Sequence, residues 1–269
     1  LDLGIRGAAI ATVLSQCLSA GFVLYFLSKK AEYKVRLLYK EEIRTCGKDA
    51  KNIVSLGTAG FVMQLTNSLV SICCNNVLSA TGGDVYVSVM TIISSVRQMI
   101  ETPIWSISEG SSPVISYNYG AKRPKKVIEA WITMSVLALI YSLIAWSVIL
   151  FAPKFLIGIF SSDKSLMIDT VPAMKLYFSA FIFMLFQYTG QTMFKSLNKK
   201  KQAIFFSILR KVIIVVPMTY MFPYVFHMGS NGVFMAEPVS NVIGGSLCFI
   251  VMLLTVLPEL KQMNSDLSS

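Results

Sequence analysis

Charge is scarce in this sequence, metal-binding chemistry is scarcer, and catalytic signatures are missing. Charged residues make up 14% of the chain against 54% hydrophobic ones, and the mean hydropathy is +0.63. An ordinary water-soluble domain carries about a quarter charged residues, so water is not the main solvent for this chain. The one histidine, His227, has no ligating neighbour, and Cys17, Cys46, Cys73, Cys74 and Cys248 show no CxxC spacing. A zinc site and a disulfide framework are therefore not expected, and neither is any metal or organic cofactor. No GxSxG elbow, HExxH pair or phosphate-cradling glycine loop is present, so the protein is not expected to be an enzyme. Acidic residues are also few, 14 against 24 basic, giving a net charge of +10. That balance does not read as nucleic-acid binding, because the basic residues are not gathered on a solvated face with room for phosphates.

Long apolar runs are abundant. A membrane-crossing helix needs about 20 apolar residues to span a hydrocarbon core of about 30 Å. Segments of that kind lie at 5–28, 53–79, 85–108, 127–151, 172–194, 202–226 and 232–257. The run from Trp131 to Phe151 is apolar throughout, whereas a barrel strand would alternate. The expected fold is all-α: a polytopic membrane protein with seven transmembrane helices, in contact with the lipid bilayer of the plasma membrane. Assigning the loops alternately to two sides places 19 of the 24 basic residues, Arg210 and Lys211 among them, on one side. Only Lys154 and Lys164 fall opposite, so the rich side is cytoplasmic and the C-terminus with it.

The sequence opens on Leu1, and two of its segments resemble each other. Gly4, Gly7, Ala11 and Ser15 followed by Gln16 repeat as Gly229, Gly232, Ala236 and Ser240 followed by Asn241, 225 residues later. The offset takes in six spans, counted from the start of one copy to the start of the next. The expectation is a six-helix unit repeated in parallel within a longer protein of about 450 residues, of which this chain is a part. On that reading residues 1–28 are the last helix of a truncated N-lobe and 29–52 a charged cytoplasmic linker, either an interfacial helix or a solvated connection. Residues 53–257 form a six-helix C-lobe, and 258–269 a cytoplasmic tail. The rest of the N-lobe is then a missing partner.

Polar residues inside apolar spans are the site candidates, since lipid does not tolerate them unpaired. Gln64, Asn67, Ser71 and Asn75 fall at i, i+3, i+7 and i+11, one stripe of one helix. Gln187 and Gln191 are four residues apart in a later span, with Tyr177 and Tyr188 nearby and Lys195 at its cytoplasmic end. These six polar side chains are read either as the wall of a wet central cavity or as hydrogen bonds that hold the bundle together. Arg97 and Glu101, four residues apart, are expected to form an intramembrane ion pair, structural in preference to ion-coupling. Glu237 before Pro238 reads as a kink at a helix start rather than as a cavity opening. The 31 aromatic residues and 14 methionines suit a surface that accepts varied amphipathic ligands, although most are expected to face lipid or core.

The stretch Gly110-Ser-Ser-Pro113-Val-Ile-Ser-Tyr117-Asn118-Tyr119-Gly120-Ala-Lys122 resembles the segment after the eighth helix of multidrug and toxic compound extrusion transporters, and is read as a family-motif loop. Leu56-Gly57, the 232–239 segment and the 4–12 segment are similar to that family too. The resemblance covers essentially the whole chain. It implies a secondary antiporter that exports cationic or amphipathic drugs by alternating access, in exchange for H+ or Na+. The sodium-coupled branch carries an acidic residue in the seventh helix, and the matching position here is Asn67. The proton-coupled branch relies on an aspartate in the first helix, a region this chain does not contain. A lipid-linked oligosaccharide flippase of related architecture and a non-transporting membrane scaffold stand as alternatives.

Overall fold

A computed structural model describes residues 4–30, 47–161 and 163–266. These residues form helices and turns, with no strand among them. The chain divides into two compact units, residues 1–56 and 57–269. In the first, helix α1 (Gly4–Lys29) is exposed over residues 9–26, with Leu18 and Phe22 among the exposed apolar side chains. Most of the expected linker, residues 31–46, lies outside the described residues, as does Cys46.

Helix α2 (Gly47–Gly120) carries the chain into the second unit. Its apolar portion, Gln64–Gly120, is 57 residues long. At 1.5 Å per residue a straight helix of that length would reach about 85 Å, nearly three bilayer cores. It is instead two helices joined at Gly83, where φ 67° and ψ −167° take the backbone out of the helical region. Those angles suit a residue without a Cβ. Then follow α3 (Pro124–Phe151), the short α4 (Pro153–Phe160), α5 (Lys164–Tyr177) and α6 (Phe181–Ser196). Next come α7 (Lys200–Ile208), a π-helical segment π1 (Leu209–Val215) and α8 (Val216–Tyr224). The last crossing is α9 (Ser230–Ser240), a second bulge π2 (Asn241–Gly245) and α10 (Ser246–Asp266). Five helices are long and apolar enough to cross a membrane, α5 and α6 together make a further span, and the break at Gly83 divides one of the five. By length and composition the described residues thus offer seven apolar segments, in line with the all-α membrane fold expected.

Three expected boundaries change. The span expected at 172–194 is a bent pair, α5 and α6, meeting at 50°. Phe178 donates its N–H to Met174, while its carbonyl accepts Trp146 Nε1–H at 2.9 Å, so the break is tied to α3. The motif expected to be a loop, with Gly110, Pro113, Tyr117, Asn118 and Gly120, is helical to Gly120. Its polar side chains support that helix: Ser111 Oγ and Asn118 Nδ2 bond back to the carbonyls of Ile107 and Val114. Ser116 Oγ donates to the Ser196 carbonyl at 3.0 Å, capping the end of α6. The chain turns only afterwards, with Lys122 at φ 53°. The expected tail from 258 is likewise helical to Asp266, with Leu260 fully buried and Glu259 bonded to Tyr119 and Lys199.

On the opposite connection, Asp163 caps α5 by accepting the Ser165 N–H at 2.8 Å. The Ser165 hydroxyl and amide hold its carboxyl below the ordinary carboxylate range. Two apolar cores stabilise the second unit, and α6 enters both. Phe181, Met184 and Leu185 belong to one, Met193 and Phe194 to the other. Gln187 and Gln191 fall in the interval.

Candidate functional site

In that interval the second unit has an open-sided cavity of about 740 Å³. Gln64, Asn67 and Ser71 line it from the first arm of α2, Arg97 and Glu101 from the second, and Gln187 and Gln191 from α6. The structure thus brings together five of the six polar residues singled out in the sequence. Asn75 is the exception: it is exposed and away from the cavity lining. It continues the same stripe one turn beyond Ser71, where Cys74 is the last residue of this arm in the lining, its Sγ 3.8 Å from Thr219 Oγ1, and Val77 and Leu78 are buried. Gln187 and Gln191 each donate from Nε2 to a carbonyl of α7, Phe206 and Ala203, at 3.4 Å. Both the cavity and the bundle-holding readings of these amides therefore describe part of what they do.

Arg97 Nε is bonded to Glu101 Oε1, as the i, i+4 spacing predicts. The pair is not isolated. Arg97 Nη1 donates to Tyr177 Oη at 2.7 Å, Tyr188 donates to Glu101 Oε2 at 3.2 Å, and Arg97 Nη2 reaches Glu237 Oε1 at 3.3 Å. Glu237 is the hub. The same oxygen also takes Lys211 Nζ at 3.0 Å and Arg210 Nη2 at 3.5 Å. Arg210 in turn is bonded through Nη1 to Asn241 Oδ1.

Two expectations are overturned here. Arg210 and Lys211, assigned to the cytoplasmic side, are each 5% exposed inside the Lys200–Tyr224 span. Glu237 is not merely a kink before a proline but a buried carboxylate shared by three cations. The physical reason is the pair of π-bulges, at which ring closure by i→i+5 bonds takes in an additional residue. In π1 the Val216 N–H bonds to the Lys211 carbonyl, five residues back. The angle between neighbours narrows, so the adjacent Arg210 and Lys211 both point inward. In π2, Gly244 makes room for Arg210: a Cβ built there would lie 2.8 Å from Arg210 Cγ. The signal available in the sequence was two basic residues set eight and nine positions into an apolar run, facing an Asn and a Gly-Gly pair two helices on.

A family model described as MatE matches residues 60–221, more than half of the chain. The chain belongs to the MatE family. Its MatE region contains most of the cavity wall but ends before Glu237, Asn241 and the second bulge. Among curated relatives, the multidrug export protein MepA of Staphylococcus saprophyticus is 25% identical over 95% of this chain and 54% of its own length. A probable multidrug resistance protein NorM of Thermotoga maritima is 25% identical over 61% of this chain and 35% of its own length. The MatE chain thus spans about half the length, or less, of these relatives. A MATE crystal structure in complex with MaL6 superposes with a TM-score of 0.82 at 20% identity, covering 98% of this chain and 58% of that one, which establishes the shared fold.

Proposed function

We propose that this MatE chain forms the carboxy-terminal half of a secondary active exporter of amphipathic compounds, with the cavity as its half of the substrate path. The observation that carries the reading is the cavity of about 740 Å³, bounded by neutral amides on two helices and by apolar Val70, Met90, Trp105 and Val233. Binding sites for small molecules are concave, mostly apolar and fixed by a few placed polar groups. The relatives' names and their greater length support a second lobe opposite, with residues 1–28 as its last helix, 29–52 as the link and 53–257 as the C-lobe. The basic residues left in the loops after Arg210 and Lys211 are removed still favour a cytoplasmic C-terminus and a plasma-membrane location. Alternating access between the two lobes is the expected mechanism, with H+ or Na+ as the coupling ion.

The protein encoded by the whole reading frame, reconstituted in proteoliposomes with sodium and pH gradients imposed separately, tests this. Export driven by one gradient names the ion, and no export under either rejects the reading in favour of a scaffold. Replacing Asn67 and Gln191 by Leu is expected to lower export several-fold while the protein remains folded; unchanged export would remove these side chains from the substrate path. A flippase for lipid-linked oligosaccharides is the second reading, favoured by the excess of basic over acidic side chains on the cavity wall.

A further inference from the structure

The cavity wall carries Arg97, Lys195, Arg210 and Lys211 but only two carboxylates, Glu101 and Glu237. Lys195 is matched by Glu109 at 2.5 Å, outside the lining. That leaves three cations to share two carboxylates. Both carboxylates are already engaged: Glu101 by Arg97 and Tyr188, and Glu237 by all three basic side chains. Arg210, Lys211 and Glu237 have side chains 6%, 7% and 6% exposed, so water screens the surplus charge weakly. A net positive charge inside a membrane protein is costly unless an anion neutralises it or one of the cations gives up its proton.

A second observation points into the same space. Gln187 is 4% exposed and lines the cavity, and among the described residues its Oε1 has no hydrogen-bond partner. An orphan buried acceptor calls for a donor. The surrounding cations are not bonded to it, and a bare halide or carboxylate would offer it no hydrogen.

We infer that this wall takes an amphipathic organic anion, its carboxylate or phosphate oxygens held by Arg97, Arg210 and Lys211, an N–H or O–H beside that group donating to Gln187, and its apolar body against Trp105 and Val233. The inference deepens the exporter reading by naming its substrate class, and it departs from the cationic drugs that the family resemblance implies. A cationic ligand would meet a wall of like net charge whose carboxylates are already paired.

The test uses the whole protein, purified in detergent, and equilibrium binding of two fluorescent amphiphiles of opposite charge, dodecanoylaminofluorescein and a rhodamine alkyl ester. The fluorescein amphiphile is expected to bind about tenfold more tightly than the rhodamine one. Lys211→Gln, which removes the surplus charge, is expected to weaken its binding about tenfold, and Glu101→Gln, which adds to the surplus, to strengthen it several-fold. Misfolding cannot produce a gain in affinity, so the opposite signs keep the result interpretable. Tighter rhodamine binding, or charge variants that shift fluorescein affinity in the same direction, overturns the inference. Competition by phosphatidylglycerol names a lipid headgroup as the ligand, competition by N-dodecanoylglycine, whose amide N–H stands beside its carboxylate, names a soluble carboxylate, and competition by neither overturns it. Because binding is read without a gradient, a protein that binds the anion but moves nothing in proteoliposomes loses only the exporter reading. One that exports rhodamine and not fluorescein loses only the anion.

Discussion

Helix α3 and the bulged pair, α7–π1–α8 with α9–π2–α10, are built largely from the same apolar residues and treat their inner faces differently. Along α3 the buried positions are Pro124, Val127, Trp131, Met134, Ala138, Ser142, Ala145 and Ile149, a single stripe of steps of three and four. Its other faces are uncovered, as at Ile132, Val136, Ile140 and Ile144. That is a regular helix packed on one side. In the bulged pair burial falls on neighbours: Arg210 with Lys211, Glu237 with Pro238, Ser240 with Asn241, and Gly244 with Gly245. Arg210 with Lys211 and Gly244 with Gly245 lie in the bulges, where the angle between neighbours narrows, whereas Glu237 and Pro238 lie in helical α9, and together they hold the charge network. The two bulges also face each other through the bond from Arg210 to Asn241.

The sharpest way to break the contrast is to remove its hub. Glu237→Ala leaves Lys211, Arg97 and Arg210 without the carboxylate they share. Breaking a buried ion pair by deleting one partner costs about 3–5 kcal/mol. The expected outcome is a large drop in thermal unfolding temperature for the detergent-purified protein, or loss of folded protein. A variant as stable as the parent would mean that the cations are satisfied from elsewhere and that the bulged helices need no hub.

A smaller effect is expected from filling the space in π2. In Gly244→Val the new Cβ would meet Arg210 Cγ at 2.8 Å and Cβ at 3.0 Å, close to the backbone and not at a flexible tip. Arg210 would have to shift from Asn241 and Glu237. Overpacking of this kind costs about 1–3 kcal/mol. Stability should fall by that amount, and anion binding with it. A stability loss with unchanged fluorescein binding would separate Arg210 from the ligand and leave Gly244 a purely packing residue.

The same contrast marks what could be read from the residues alone. The α3 span was legible at 127–151 because an unbroken apolar run needs nothing beyond its length. Gln64, Asn67, Ser71, Gln187 and Gln191 were legible because helical spacing puts them on faces that lipid excludes, and the structure sets them around one cavity. Asn75 failed because spacing fixes an angle about the helix and not where along it a cavity ends. Arg210 and Lys211 were misplaced because counting basic residues by loop assumes that none is held inside a span, and only a carboxylate two helices later makes that tolerable. The family resemblance pointed to a loop at the 110–122 motif, where serine and asparagine side chains keep the backbone helical to Gly120. Periodicity at 3.6 residues also carries no trace of a π-bulge, which changes the period locally and depends on partners across the bundle.

The smallest predicted effect lies in α3 and tests the regular side of the comparison. Ser142 is 1% exposed, and among the described residues its Oγ has no hydrogen-bond partner, not even the carbonyl one turn back that other serines of these helices use. A buried hydroxyl left unpaired carries a desolvation penalty without a compensating bond. Ser142→Ala removes the penalty along with one small atom's packing, so stability is expected to stay level or to rise by up to about 1 kcal/mol. Thermal unfolding beside the parent protein measures it. A fall of about 1 kcal/mol or more would show that α3 also holds a polar contact on its buried stripe. Polar satisfaction would then no longer be what sets the bulged pair apart from a regular membrane helix, and only the geometry of the bulges would remain.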